Sequence, residues 1–428
     1  MVVQRLPPRS GRPRPHWLRR QRALPDQGPL ERALRMRDEF RRSQLSIAAL
    51  FGFLGFQYST WAARIPMLKS SLDLSAAEVG FLLLATGIGA AIAFPIVTFL
   101  MTRLGSRRLA LLACLGLTLV LLSLAVVPNQ PIALAVMLID GVLVACLNVA
   151  MNAQGTALEV KYERNTMAKL HATFSGGIFV AALLASGVTA VTTNLLTHFV
   201  IGAAVLVALI VFASGGLLPT DLPTTEKQAT EKQAKGKLTI PTGTIAWLAV
   251  AMVFGTVVEG AMNDWSALYL RDIIGAPAAV LPLGIAVVSA TMLITRLFAD
   301  ARRAAWGDRQ VVLAGATIAG TGLALALLIG GLVPTLIGFA CVGLGMAAVT
   351  PCLYAAAAKQ GPNALTLVAT MGTLGLLAGP PAIGALTNAT TLLYGMAAVA
   401  LSAYLVTACT TQITWTKSPT THPVPAPD

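Results

Sequence analysis

The chain has few charged residues for its length. Of its 428 residues, only 11% are charged and 56% are hydrophobic, whereas typical globular chains are about 25% charged and about 45–50% apolar. The apolar residues come in long runs rather than in amphipathic periods. This composition excludes an ordinary soluble protein of two or three domains.

Cysteine is scarce as well. There are 5 cysteines, and their odd number argues against a disulfide framework. No Cys/His spacing typical of a metal site occurs, and no acid–base constellation indicates an enzyme. We therefore predict no metal, no cofactor and no enzymatic activity.

The N-terminal segment lacks any apolar stretch. Residues 1–44 are rich in Arg and Pro, which is unlike a secretory signal peptide. We predict a disordered cytoplasmic tail that lies against the anionic inner leaflet of the membrane. Met36 precedes the first apolar run closely, so the sequence leaves open whether residues 1–35 belong to the mature protein.

Apolar runs of membrane-spanning length fill the rest of the chain. A helix needs about 20 mostly apolar residues to cross the hydrocarbon core. We predict an all-α integral membrane protein with twelve transmembrane helices. The predicted spans are residues 45–64, 77–101, 109–127, 132–156, 170–191, 196–218, 245–270, 280–300, 311–330, 336–358, 366–387 and 391–410.

The net charge of +13 invites a nucleic-acid interpretation, but its distribution argues against one. If the N-terminus is inside, nearly all Lys and Arg residues lie on the cytoplasmic side. The exceptions are Arg64, Lys69 and Arg271 on the outer side and Arg296 within a helix. This is the positive-inside bias that orients membrane proteins. We predict a monomer in a bacterial-type inner membrane, with both termini cytoplasmic and no nucleic-acid partner.

The spans fall into two equal groups. The polar break at residues 219–244 contains the tandem pentad TEKQA-TEKQA and has six predicted spans on each side. We predict an N-terminal bundle over 45–218, a cytoplasmic linker, a C-terminal bundle over 245–410 and a C-terminal tail over 411–428. Parallel six-helix repeats of this kind hold a binding site between them.

Helix seven carries the richest set of polar residues at membrane depth. Thr256, Glu259, Asn263 and Ser266 fall on one helical face, and Asp264 points about 140° away from Glu259. Ionisable groups at this depth are costly, so each is a functional candidate. Glu259 is either a proton carrier or a structural carboxylate between helices, and Asp264 has the same two interpretations.

Helix one presents Gln57, Trp61 and Arg64 on one face. This face can line a cavity, with Arg64 near its outer end. Arg64 either forms a fixed ion pair with Asp140 of helix four or clamps an anionic or hydroxylated ligand.

Three further helices contribute candidates. Asn148 and Asn152 are spaced i, i+4 on helix four and suit a ligand with many hydroxyls. His171 begins helix five, where its charge could respond to internal pH. Arg296 and Asp300 are spaced i, i+4 on helix eight and suggest an ion pair that controls closure, unless Arg296 merely extends its charge to the membrane surface.

Two sets of residues resemble a known family. The loop Arg103-Leu-Gly-Ser-Arg107-Arg108 resembles the signature that follows helix two of the major facilitator superfamily, although Thr102 stands at the acidic position. That acid takes part in gating in the family. We therefore expect gating to rest on Arg103, Arg107 and Arg108, with Arg296 and Asp300.

Three segments resemble the rhizopine-transporter-like, MosC-type branch, which is similar to the fucose permeases. They are Trp61-Ala-Ala-Arg-Ile-Pro66, Asn148-Val-Ala-Met-Asn-Ala-Gln154 and the stretch from Glu259 to Asp272. The resemblance covers residues 45–410 and implies the major facilitator fold. It also implies proton-linked movement of sugar-, polyol- or inositol-like solutes by alternating access.

The position of Asn148 is usually acidic in this branch. Because Asn cannot carry a proton, proton coupling must rest on another group, Glu259 or Asp264, or be absent. Without proton coupling, transport would be facilitated diffusion. A proton-linked drug or metabolite efflux pump and a non-transporting receptor or scaffold remain the alternatives. The expected solute site is Gln57, Trp61, Arg64, Asn148, Asn152, Glu259 and Asn263, and the expected proton-coupling groups are Glu259, Asp264 and His171.

Overall fold

A computed structural model describes residues 29–219 and 243–415 of the chain. These residues form helices and short connections, with no strand among them, as the apolar runs predict. The predicted linker, apart from its ends, and most of the C-terminal tail lie outside the described residues. Both therefore stay predictions.

The described part of the first half, residues 29–219, contains six helices. Five are long, and α2 is a short helix between the first two long ones. Their bounds are α1 Pro29–Ala62, α2 Ile65–Ser71, α3 Ala76–Leu124, α4 Gln130–Tyr162, α5 Met167–Val191 and α6 Leu195–Ser214.

Residues 243–415 of the second half contain seven helices and one 3₁₀ turn at Ala278–Val280. Their bounds are α7 Thr244–Asp272, α8 Leu283–Trp306, α9 Asp308–Ile329, α10 Leu332–Met346, α11 Val349–Lys359, α12 Pro362–Ala389 and α13 Leu392–Gln412.

Helix α1 begins earlier than the sequence analysis predicts. It starts at Pro29, so residues 29–44 are helical and the prediction of disorder is wrong for them. A proline suits the first turn of a helix, and the segment is rich in Leu, Arg and Glu, which favour helix. Phe40 is buried and packs edge-on against Tyr162 of α4, with ring centroids 5.2 Å apart.

Helix α3 is too long for one crossing. Its 49 residues would extend about 74 Å if straight, more than twice the ~30 Å hydrocarbon core. Gly105 interrupts it with φ 72° and ψ 164°, a backbone conformation that glycine adopts readily. The break falls between the predicted spans 77–101 and 109–127.

The predicted span 336–358 is also divided, into α10 and α11. Pro351 lies in the first turn of α11, and its missing N–H cannot bond to the preceding turn. Pro380 and Pro381, by contrast, lie inside α12, which continues through them.

Ten of the described helical segments are long and apolar enough to cross a membrane by length and composition. That count takes α3 once and does not include α1. The all-α membrane architecture is therefore confirmed, whereas the number twelve stays a prediction.

At several glycines the backbone of a neighbouring helix approaches too closely for a larger residue. A Cβ at Gly141 of α4 would lie 1.8 Å from the Thr86 carbonyl oxygen of α3, and one at Gly89 would lie 2.0 Å from the Leu138 oxygen. The halves also touch closely, since a Cβ at Gly80 would lie 3.0 Å from the Pro380 oxygen of α12. Small residues of this kind permit close helix packing in lipid.

Substituting Gly141 tests this packing. We expect Gly141→Ala to destabilise the protein by about 1–3 kcal/mol, because the added methyl group meets backbone that cannot move aside. Thermal unfolding in detergent measures the effect. Gly187→Ala is the matched control, since nothing lies within 4 Å of its Cβ position; equal stability of the two variants would contradict this account.

Candidate functional site

Two ends of the bundle serve as landmarks. The Lys69 end contains α2 and the start of α3, and the Gly105 end contains the break in α3. Helix α1 runs from the Gly105 end to the Lys69 end, as its connection to α2 requires.

An arginine bridges the two halves near the middle of the bundle. Arg296 of α8 donates from Nη2 to Glu259 Oε1 of α7 at 3.1 Å and from Nη1 to Ser175 Oγ of α5 at 2.5 Å. The side chains of Arg296 and Glu259 are 26% and 28% exposed. Charged groups that keep this exposure midway along apolar helices face a polar gap rather than lipid.

This arrangement differs from the expected pairing of Arg296 with Asp300. The side chain of Asp300 lies outside the described residues, and the described partners of Arg296 are Glu259 and Ser175. The spacing of residues along α8 gives no information about the neighbouring helices, so sequence reasoning missed Ser175 as a partner.

Three asparagines add hydrogen-bonding capacity. Asn152 Nδ2 donates to Asn148 Oδ1 at 2.7 Å and to the Asn148 carbonyl at 2.8 Å, and Asn148 is exposed. Asn263 Nδ2 donates to the Glu259 carbonyl at 3.0 Å. The i, i+4 neighbours on α4 and α7 therefore contact each other as predicted, and each amide retains a donor or acceptor atom that can bind a ligand.

His171 lies near this group. It is exposed, contacts Phe51 edge-on with ring centroids 4.9 Å apart, and is within electrostatic range of Arg296. Because His171 lies near the start of α5, it is on the Gly105 side of the gap, within electrostatic range of the Arg296 guanidinium.

The predicted face of α1 is covered by protein in this conformation. Gln57, Trp61 and Arg64 are 0%, 4% and 2% exposed. The cavity beside Trp61 has a volume of about 10 Å³, which is room for one water at most. These three residues do not share the gap with Glu259.

The expected ion pair between Arg64 and Asp140 does not form. Gln57 Nε2 donates to Asp140 Oδ1 at 2.8 Å, and Arg64 Nε donates to His198 Nδ1 of α6 at 3.0 Å. Among the described residues, neither Asp140 nor Arg64 therefore has an oppositely charged partner.

Asp264 contacts the other half of the protein. Tyr58 of α1 donates its hydroxyl to Asp264 Oδ1 at 2.5 Å, and Asp264 is 6% exposed. As predicted, Asp264 and Glu259 do not form one pair. Tyr58 was missed because it lies off the helical face of Gln57, Trp61 and Arg64.

Further links join the halves at the Lys69 end. Lys69 Nζ lies 3.2 Å from Asp272 Oδ2. Arg271 donates from Nη1 to the Pro66 carbonyl and, at 2.8 Å, to Ser70 Oγ. The sequence placed Lys69 and Arg271 outside the membrane on the same side, but nothing in their spacing showed that α2 meets the end of α7.

The arginines at the Gly105 end stay within the first half. Arg107 Nη2 donates to the Ser214 carbonyl at 3.0 Å, and Arg103 lies over the Phe99 ring at 5.4 Å. Arg108 is exposed and has no hydrogen bond or ion pair among the described residues. The links between halves named above lie in the middle or at the Lys69 end, so of the predicted gating arginines only Arg296 joins the halves among the described contacts, and Arg103, Arg107 and Arg108 do not.

The contact between α2 and α7 is testable without a solute. Arg271→Gln removes the charged donor to Pro66 and Ser70, so we expect amide exchange in α2 to quicken roughly 3- to 10-fold, corresponding to about 1 kcal/mol. Hydrogen–deuterium exchange mass spectrometry in detergent measures this. Arg309→Gln, at an exposed position of the Gly105 end, is the control; unchanged exchange in Arg271→Gln would refute the link.

The chain is similar to known proteins over most of its length. Residues 45–364 match the family model of the Major Facilitator Superfamily. The chain is 30% identical over 377 residues to an uncharacterized MFS-type transporter of Yersinia pestis, covering 87% of this chain and 96% of that protein. It is 28% identical over 351 residues to the membrane protein MosC of Rhizobium meliloti, covering 80% and 83%.

Solved structures share the fold at low identity. The nucleoside transporter NupG superposes with a TM-score of 0.65 at 13% identity, covering 87% of this chain and 100% of that one. FucP in its outward conformation superposes with a TM-score of 0.58 at 15% identity, covering 88% and 100%. The resemblance found in the sequence is confirmed: the chain belongs to the major facilitator superfamily and is a membrane transporter, not an enzyme.

Proposed function

We propose that this transporter moves a small polar solute, such as a sugar, polyol or inositol derivative, by proton-coupled alternating access. The observation that carries the proposal is the bridge of Arg296 to Glu259 and Ser175 across the two halves. A cation, a carboxylate and a hydroxyl meet there at the interface where transporters of this architecture bind their solutes.

Alternating access requires two closable ends. The links at the Lys69 end and the exposure of Asn148 and His171 support a state that is closed at the Lys69 end and open toward the Gly105 end. In the proposed orientation, with both termini cytoplasmic in a bacterial-type inner membrane, this is the inward-facing state. Counting α3 as two spans and adding α1 to the ten apolar segments gives the proposed twelve.

The solute binds through hydroxyl groups. Asn148, Asn152 and Asn263 offer amide donors and acceptors, and the planar guanidinium of Arg296 offers paired donors. Gln57, Trp61 and Arg64 are buried here, so they reach a solute only if α1 moves.

Coupling follows from competition for Arg296. In this structure the Arg296 guanidinium is the cation paired with the Glu259 carboxylate. A solute hydroxyl that takes the guanidinium leaves the Glu259 carboxylate without its cation, and the proposed coupling step is that a proton replaces that cation. Asp264 and His171 are the other proposed proton-coupling groups, and Asp264 also joins the halves through Tyr58.

Proteoliposomes with a pH dye inside test this function. We expect one compound in a panel of sugars, polyols and inositol derivatives to acidify the lumen, and Glu259→Gln to abolish the acidification. Solute exchange across the membrane should persist in Glu259→Gln, because the glutamine still binds Arg296. Glu163→Gln, at the exposed end of α4, is the control and should behave like the parent protein.

Two outcomes would contradict the coupling or the substrate class. Saturable uptake with no pH change would indicate a uniporter and point to Asn148 as the reason. If no compound changes the lumenal pH and none is taken up, the result would favour drug efflux or a scaffold role.

A further inference from the structure

Arg64 is a cation buried without an anion. It is 2% exposed, and its described partners are His198 Nδ1 at 3.0 Å and the Met67 sulfur at 3.0 Å. Its Nη2 is buried without a hydrogen-bond partner. Since Nδ1 of His198 accepts a hydrogen bond, this histidine is neutral and carries its proton on Nε2.

Asp140 is an acid buried without a cation. It is 1% exposed, and its described hydrogen-bond partner is the Gln57 amide at 2.8 Å. The other atom of that amide, Gln57 Oε1, is buried and unpartnered. An ionised carboxylate at membrane depth needs a cation or several donors, and one neutral amide does not compensate it.

Gln57, the partner of Asp140, lies on α1, and Arg64 lies in the turn that joins α1 to α2. Gln57 and Arg64 are seven residues apart, which is two helical turns or about 10 Å. Gln57 marks the position of Asp140 along α1, so Asp140 is about that far from Arg64, and a long guanidinium side chain covers much of that distance. Opposite charges this close in a low-dielectric interior would attract strongly, yet they are not paired.

Other titratable groups near Asp140 do not replace Arg64. Tyr58 is within electrostatic range of Asp140, Asp264 and Glu259, and so adds only acids to the surroundings. The helices packed against α4 are α1, α3 and α5. Besides Tyr58 and the charged N-terminal turns of α1, their titratable side chains are Glu78, Arg103, Arg107, Arg108 and Cys114 on α3 and Lys169 and His171 on α5.

We propose that Asp140 is a proton-binding site and that Arg64 competes with the proton for its carboxylate. In this conformation Asp140 carries the proton and accepts a hydrogen bond from the Gln57 amide, and Arg64 donates a hydrogen bond to His198. When the proton leaves for water, the carboxylate takes the guanidinium, and the Arg64–His198 bond breaks. The exchange displaces the end of α1, which also carries Tyr58 and its link to Asp264 in the other half.

This inference deepens the proposed function, because it rests on that function for its role in transport. Its test needs no solute, so the two can fail separately. Infrared difference spectroscopy of the purified full-length protein detects the carbonyl stretch of a protonated carboxylic acid during a pH titration. We expect one titrating band to disappear in Asp140→Asn, which keeps a carbonyl acceptor for the Gln57 amide.

The proposed competition predicts that replacing Arg64 and replacing His198 shift the titration midpoint of the Asp140 band in opposite directions. Arg64→Gln removes the competitor, so the midpoint of the Asp140 band should rise by about 1 pH unit. His198→Leu removes the hydrogen-bond acceptor of Arg64 and frees the guanidinium for Asp140, so the midpoint should fall. Arg64→Lys and His198→Gln keep the charge and the acceptor and should leave the midpoint nearly unchanged, which also guards against effects of misfolding.

Asp264→Asn separates this site from the other buried acid. It should remove a different band and leave the Arg64→Gln shift intact. The proposal is overturned if Asp140→Asn removes no titrating band, or if Arg64→Gln and His198→Leu move the midpoint in the same direction or not at all. A lack of uptake in proteoliposomes would count against the transport proposal and leave this result standing.

Discussion

Polar groups at membrane depth find no hydrogen-bond partner in lipid, and the arrangement of this transporter follows from that constraint. Backbone groups are satisfied within helices, and no lipid molecule can replace them. Side chains are satisfied where helices meet. The interface between the halves collects the groups that one bundle alone leaves unpartnered, such as Arg296 with Ser175 and Tyr58 with Asp264.

The same constraint makes the interface reversible. A bond between halves can break if water or a solute replaces the lost partner, and the partly exposed pair of Arg296 and Glu259 lies where that replacement is possible. The covered pairs, Gln57 with Asp140 and Arg64 with His198, are buried and closed to a solute in this conformation. In the proposed exchange these partners are traded with one another, so that a single proton would decide between two arrangements of α1.

The sequence predicts well what depends on local pattern. Apolar runs give the helices, the shared faces of Asn148 with Asn152 and of Glu259 with Asn263 appear as expected, and the motif after helix two leads to the family. Partners across helices were mostly wrong or missed. The positive charge of Arg64 suggests an acidic partner. Whether that partner is Asp140 or instead the neutral His198 depends on the relative depth of α1, α4 and α6, and the spacing of residues along one helix does not give this depth.

The central claim is that the protein alternates between two closures, and distances across its two ends test it most directly. Spin labels at Glu163 and Gln360 report on the Gly105 end, and labels at Thr193 and Leu328 on the opposite end, after the native cysteines are replaced by alanine. All four positions are exposed. The account predicts that changing pH or adding solute shortens the first distance while lengthening the second; two distances that stay fixed, or that change together in the same direction, would contradict it.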